Sequence, residues 1–160
     1  MNILNYTDAH HQFRKELSEF LEKELMPQAG QWEMDHIVPK SAWKKMGVAG
    51  YLCTNVPEAY GGHGLDFLYS VIVAEEVSKA GLSGLVSGLH SDIVVPYIVS
   101  FGSEEQKLKY LPGCISGDII TAVNRRRVVD LQQLTEIARE NRILFLLVQR
   151  GDRALMLQIR

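Results

Sequence analysis

Apolar residues recur at helical spacing near the start of the chain. The pattern predicts an amphipathic helix from Tyr6 to about Gln28, with Thr7 as its N-cap. Its apolar positions are Phe13, Leu17, Phe20, Leu21 and Leu25. Pro27 should end or bend this helix, because proline has no N–H to donate and its ring clashes with the preceding turn.

Further helices are predicted downstream. A short one runs from Pro39 to Met46 and stops at Gly47, and another follows the cap residue Asp66 and reaches Ala80. Residues 85–101 form a longer apolar helical stretch that Pro96 interrupts.

A last helix of this region begins with a capping box. Ser103 and Gln106 have the spacing of that motif, in which the two side chains satisfy backbone N–H groups at the start of a helix. The helix is expected to reach about Leu111, where Pro112 stops it.

The last part of the chain has a different rhythm. Residues 118–123 are a short β-type run, and an amphipathic helix is predicted after Asp130. The runs ILFLLVQ and ALMLQIR flank Gly151 and predict a β-hairpin. The expected fold class is therefore α+β, with an all-α helical domain (residues 1–116) followed by a β-α-β-β unit (residues 117–160).

Composition excludes several function classes. A formal net charge of −2 gives no sign of a nucleic-acid partner. No apolar run approaches the length of a membrane span, and the start lacks the basic and apolar regions of a signal peptide, so a cytoplasmic location is expected. Cys53 and Cys114 are in no paired motif and are interpreted as two reduced thiols.

Residue usage changes sharply after about residue 120. Arg14 is the only arginine before residue 125, whereas no lysine occurs from residue 125 onward. All five histidines and all six tyrosines lie before residue 111, and Phe145 is the only aromatic after residue 118. Such a switch favours two sequence histories in one chain.

No motif predicts a catalytic residue or a metal site. The neighbouring carboxylates Glu75 and Glu76 point in different directions on a helix, and exposed charge is the simplest interpretation. The histidines lack ligand spacing. The glycine loop at residues 61–64 lacks the lysine and hydroxyl residue of a phosphate-binding loop.

Two stretches carry a family resemblance: YGGHGLDFLYSVIVAEEVSKAG and GLHSDIVVPYIVSFGSEEQKLKYLPGCISGDII. With them, residues 1 to about 120 resemble the N-terminal helical domain of the acyl-CoA dehydrogenase family. The resemblance implies an acyl-CoA pocket partly lined by Val86, Ser87 and Leu89. The family's FAD lies mainly between later domains. The flavin-contacting motif that follows this domain in the family is replaced here by TAVNRRRVVD, so no cofactor is expected.

The last part resembles a second family. Residues 117–160, from GDIITAVN through VVDLQQL to the hairpin around RGD, are similar to the C-terminal half of a PDZ domain of HtrA-type proteases. This resemblance implies a peptide-groove helix that carries Leu131, Leu134 and Ile137. The groove strand and the carboxylate-binding loop of a whole PDZ domain have no counterpart here.

Three functional interpretations follow. The first is a non-catalytic chimera that joins the two resemblances, natural or engineered, and that forms a homo-oligomer. The second is an acyl-CoA dehydrogenase-like fragment that contributes to an acyl-CoA pocket. The third is a PDZ-like module, completed by a second chain, that binds a peptide C-terminus.

Overall fold

Two helices replace the long first helix of the sequence prediction. The computed structural model describes residues 4–82, 84–123, 126–127, 137, 140, 144–150 and 153–159. Helix α1 spans Asp8–Glu24 and α2 spans Met26–Asp35. Pro27 lies in the first turn of α2, where a missing N–H costs nothing, so the predicted break is confirmed.

Helices α3 and α4 begin where the sequence predicts. Helix α3 spans Lys40–Val48, so it continues through Gly47 and does not stop there. Helix α4 spans Phe67–Lys79, and the Leu68 N–H donates a hydrogen bond of 2.9 Å to the Asp66 side chain. Asp66 is therefore the predicted N-cap of α4.

The apolar stretch before Gly102 is a π-helix, Leu89–Val94, that continues into α5, Val95–Phe101. Helix α6 spans Glu104–Ile115 and begins with the predicted capping box. The predicted end at Leu111 is wrong, because Pro112 lies inside the helix. Beyond it Cys114 is fully buried, and this burial offsets the loss of one backbone hydrogen bond.

A four-stranded antiparallel sheet follows, in the order β2-β1-β3-β4. Its strands are β1 (Ile119–Val123), β2 (Arg126–Arg127), β3 (Leu144–Arg150) and β4 (Arg153–Ile159). Strands β3 and β4 pair antiparallel with Arg150 opposite Arg153, as the predicted hairpin requires, and its turn at Gly151 lies outside the described residues. Ile137 and Glu140 of the predicted intervening helix are helical, whereas Leu131 and Leu134 lie outside the described residues.

Helices and sheet share one apolar core. The largest fully buried side chains of the helical part include Leu17, Met46 and Ile98, and Leu146 of β3 belongs to the same cluster. Ile137 is also a member, with 2% of its surface exposed. The sheet therefore folds against the helices, as expected for a segment too small for a core of its own.

One charged pair differs from the sequence prediction. Glu76 is buried rather than exposed, and its carboxylate accepts hydrogen bonds from Arg14 (2.6 Å) and Lys79 (2.7 Å). Burial favours the neutral acid, but the two cations outweigh it and lower the pKa of Glu76. Arg14 also contacts Glu75 and thereby joins α1 to α4.

The chain passes from helices to sheet through a close backbone contact with α3. A Cβ added at Gly47 would lie 2.5 Å from the Ser116 carbonyl carbon, and one at Gly117 would lie 2.5 Å from the Trp43 carbonyl oxygen. Gly117 also has a positive φ of 91°. Lys44 adds an ion pair of 3.1 Å to the buried Asp118. Both glycines are needed for this contact.

No helix of the described residues has the length and apolar character needed to span a bilayer.

Replacing Gly47 with alanine should destabilise the protein. The new methyl group would push α3 away from residues 115–117, which should lower the free energy of unfolding by about 2–4 kcal/mol. Gly30→Ala is the matched control, since Gly30 also lies in a helix and a Cβ there has no neighbour within 4 Å. It should be neutral or stabilising by about 0.5–1 kcal/mol. Urea unfolding measures both, and equal effects would contradict the described contact.

Candidate functional site

The residues predicted to line an acyl pocket lie where the chain enters the π-helix. Val86 is 46% exposed and Leu89 is half-buried, whereas Ser87 is only 3% exposed and points into the protein. The structure therefore exposes Val86 and leaves Leu89 partly accessible, although Leu89 also packs against the core. Val86 and Leu89 form what we call the apolar wall.

A buried hydrogen bond holds the π-helix behind this wall. The Cys53 N–H donates to Ser91 Oγ at 3.0 Å, and both residues are buried. Cys53 has a φ of 54°, which is unusual for a residue other than glycine. Ser91 therefore satisfies a backbone group in a strained loop and fixes the position of the π-helix relative to it.

His90 fastens the other side of the π-helix. Its Nε2 lies 3.1 Å from the Cys114 carbonyl oxygen, which accepts only, so Nε2 carries the proton. Burial lowers the pKa of His90 and keeps the ring neutral. Nδ1 has no hydrogen-bond partner among the described residues. The ring also meets the edge of Trp43, with 5.6 Å between ring centroids.

Asp92 is the carboxylic acid in this segment. Burial raises its pKa, and a hydrogen bond with Ser70 acts in the opposite direction. Ser70 in turn lies 3.2 Å from the Thr54 hydroxyl. A Cβ added at Gly88 would lie 3.7 Å from Asp92 Oδ2. The side chains around the apolar wall are therefore largely uncharged or engaged in internal hydrogen bonds.

A separate apolar cavity of about 490 Å³ has the residue before Val86 in its lining. It is bordered by the end of α2 and by the segment after α4, with buried Trp32, Leu82 and Leu85 among its lining residues. Leu85 directly precedes Val86, so the cavity and the apolar wall share one short stretch of chain.

The glycine loop is closed on its own backbone. A side chain at Gly62 would collide with the Val56 carbonyl oxygen, and the Gly64 N–H already donates to that oxygen at 2.9 Å. This loop does not offer free N–H groups to a phosphate. Among the described residues no three His, Cys, Asp or Glu side chains gather as a metal site. Cys53 and Cys114 are buried and are not joined in a disulfide.

Sequence reasoning missed the residues that fix the π-helix. His90, Ser91 and Asp92 are consecutive polar residues inside an apolar helical stretch, and this was the available signal. Of the predicted peptide-groove residues, Leu131 and Leu134 lie outside the described part, and Ile137 is buried in the core. That prediction therefore stays a prediction.

Comparisons with known proteins give a consistent picture of the helical part. Residues 7–118 match the family described as acyl-CoA dehydrogenase, N-terminal domain. The long-chain specific acyl-CoA dehydrogenase of Sus scrofa mitochondria is 36% identical over 118 residues, which are 74% of this chain and 27% of the relative. The chain thus spans about a quarter of the length of this curated relative.

Solved structures resemble the chain in two ways. An acyl-CoA dehydrogenase from Geobacillus kaustophilus matches 73% of this chain and 32% of its own, with a TM-score of 0.68 and 48% identity. A structure described as the electron transferring flavoprotein of Acidaminococcus fermentans matches 96% of this chain and 39% of its own, with a TM-score of 0.67 and 29% identity. The second match therefore extends into the sheet.

Removing the Ser91 hydroxyl should weaken the fold. Ser91→Ala leaves the buried Cys53 N–H without its acceptor and should lower the free energy of unfolding by about 1–3 kcal/mol. Ser78→Ala, at an exposed position of α4, is the control and should change it by less than about 0.5 kcal/mol. Thermal and urea unfolding provide the measurement. A Ser91→Ala protein as stable as the control would show that this bond does not hold the π-helix.

Proposed function

The chain belongs to the acyl-CoA dehydrogenase family, and we propose on this basis that Val86 and Leu89 supply one wall of an acyl-CoA pocket. The observation that carries the proposal is their exposure. Val86 is apolar and 46% exposed and Leu89 is partly accessible, whereas Ser87, His90 and Ser91 are buried.

The chemistry of the wall suits an acyl chain. Covering apolar surface contributes about 25 cal/mol per Å² removed from water, so an apolar ligand gains most where no charge must be desolvated. His90 is neutral and points into the protein, and Ser87 is buried. The apolar cavity has Leu85, the residue before Val86, in its lining.

The proposed role is binding and not chemistry. None of the described residues 86–91 is an exposed acid or base, so no catalytic residue is proposed there. The N–H groups of Gly61, Gly62 and Gly64 already donate to backbone carbonyls, so we propose no phosphate-binding role for the glycine loop.

A second candidate is the non-catalytic chimera with a half-PDZ unit at residues 117–160. The hairpin of β3 and β4 at the predicted place, and β1 beside β3, support it. The structural match over 96% of the chain argues against a chimera, because one alignment includes both the helices and the sheet. In this candidate a second chain would have to complete any groove for a peptide C-terminus.

Binding of octanoyl-CoA tests the apolar wall. Isothermal titration should show saturable binding that is at least about tenfold tighter than that of coenzyme A alone, because the acyl chain contributes apolar burial. Val86→Asp should weaken octanoyl-CoA binding by about tenfold or more, since the acyl chain would then bury a charge. Val48→Asp, at an exposed valine of α3, should leave it unchanged. Equal effects of both variants, or no saturable binding, would reject the proposal.

Titration with hydrophobic C-terminal peptides tests the second candidate. If residues 117–160 act as a PDZ-like module, a peptide with a free carboxylate should bind saturably, and its C-terminal amide should bind at least about tenfold more weakly. Identical titrations for acid and amide, or none at all, would remove this candidate and leave the acyl-CoA wall unaffected.

A further inference from the structure

The ends of two helices border the cavity of about 490 Å³. Glu33 belongs to the last turn of α2, and Gly81 and Leu82 follow the end of α4. Val86 and Leu89 are not among the described lining residues, so the acyl-CoA wall does not account for this cavity. Its volume lies within the range of about 300–1,000 Å³ that is usual for pockets that bind a small molecule.

The end of α2 places an unusual residue in the lining of this cavity. His36 has a φ of 53°, and its N–H donates a hydrogen bond to the Glu33 carbonyl oxygen. The Ile37 N–H donates to the Trp32 carbonyl oxygen at 3.1 Å. These two bonds form a Schellman motif, in which the left-handed position is usually glycine. A histidine is strained at that position, and strained residues are concentrated at functional sites.

The end of α4 has the same motif. Gly81 has a φ of 69°, and its N–H donates to the Ser78 carbonyl oxygen at 3.0 Å. The Leu82 N–H donates to the Val77 carbonyl oxygen at 3.1 Å. Two helix C-termini therefore border one cavity. Aligned peptide dipoles place about half a negative charge at each helix C-terminus, so both helix ends favour a cation there.

The side chains of the lining add to this preference. Glu33 contributes a carboxylate, and His36 is the other titratable residue of the described lining, which contains neither lysine nor arginine. Lys79, in the last turn of α4, is held by Glu76 at 2.7 Å and is not a lining residue. An anionic ligand would therefore have no lysine or arginine partner here, whereas an ammonium group would have a carboxylate.

The interior of the cavity is aromatic and aliphatic. Trp32, Leu82 and Leu85 line it, and all three side chains are buried. Tryptophan is the side chain whose ring attracts a cation most strongly. The two leucines offer apolar surface to the remainder of a ligand. An acid, an indole ring and aliphatic surface together suit a cation that has an apolar body.

We propose that this cavity binds a small organic cation, with its ammonium group near Glu33 and Trp32 and its apolar body against Leu82 and Leu85. The two helix C-termini stabilise the positive charge. The site is independent of the proposed acyl-CoA wall, because the two have no residue in common.

Isothermal titration at about pH 8 with 4-phenylbutylamine and 4-phenylbutyrate tests the proposal, because these probes have the same apolar body and opposite charges. The amine should bind saturably and at least about tenfold more tightly than the carboxylate. Amine binding should also change the tryptophan fluorescence of the wild-type protein but not that of Trp32→Phe, in which Trp43 remains. A carboxylate that binds as tightly as the amine overturns the proposal, as does an amine that shows no saturable binding up to about 10 mM.

Removal of one charge provides the matched comparison. Glu33→Gln keeps the size of an exposed side chain, so the protein should fold as the wild type does. It should weaken binding of the amine at least about threefold and leave binding of neutral 4-phenylbutanol unchanged. Glu105→Gln, at an exposed acid of α6, is the control and should change neither. Equal effects of the two variants on the amine would contradict the proposed position of the ammonium group.

Competition with octanoyl-CoA separates this site from the acyl-CoA wall. The amine and octanoyl-CoA should bind at the same time, and neither should change the dissociation constant of the other by more than about twofold. Mutual exclusion would mean that the acyl chain occupies this cavity, and it would overturn the assignment of the cavity to a cation.

Discussion

The architecture depends on a close approach of two backbones. Helix α3 and residues 115–117 come so near each other that only glycine fits at positions 47 and 117. The contact sets the direction in which the chain leaves α6, and therefore where β1 begins. The Lys44–Asp118 ion pair then closes over the same point, with Asp118 buried. A side chain at either glycine would separate the sheet from the helices.

The same region supports the candidate site. Cys114, on the last turns of α6, accepts the hydrogen bond from His90, and Trp43 of α3 contacts the His90 ring. The π-helix is therefore fixed by the two elements that also hold the junction to the sheet. π-Helical turns are rare and are often found at functional sites. Leu89 begins this π-helix and Val86 shortly precedes it, so the positions of both residues depend on the same contacts.

Local signals in the sequence were enough to predict most of the helices. The caps Asp66 and Ser103 and the break at Pro27 act through neighbouring residues, so they can be identified without tertiary information. The continuation of α6 through Pro112 could not be predicted in this way, because burial of Cys114 beyond it decides that the helix continues. Glu76 was wrongly predicted to be exposed for the same reason, because its partner Arg14 is distant in sequence. The inward position of Ser87 likewise depends on packing. The family resemblance pointed to residues 86–89, and the structure shows that Val86 is exposed whereas Ser87 is buried.

Native-state hydrogen exchange tests the central claim, that helices and sheet form one cooperative unit through the Gly47–Gly117 contact. Exchange followed by mass spectrometry in increasing denaturant gives an opening free energy for each segment. The account predicts that the most protected amides of α3, α6 and β3 open with the same free energy and the same denaturant dependence. A sheet that exchanges freely under conditions where α3 and α6 stay protected would contradict it.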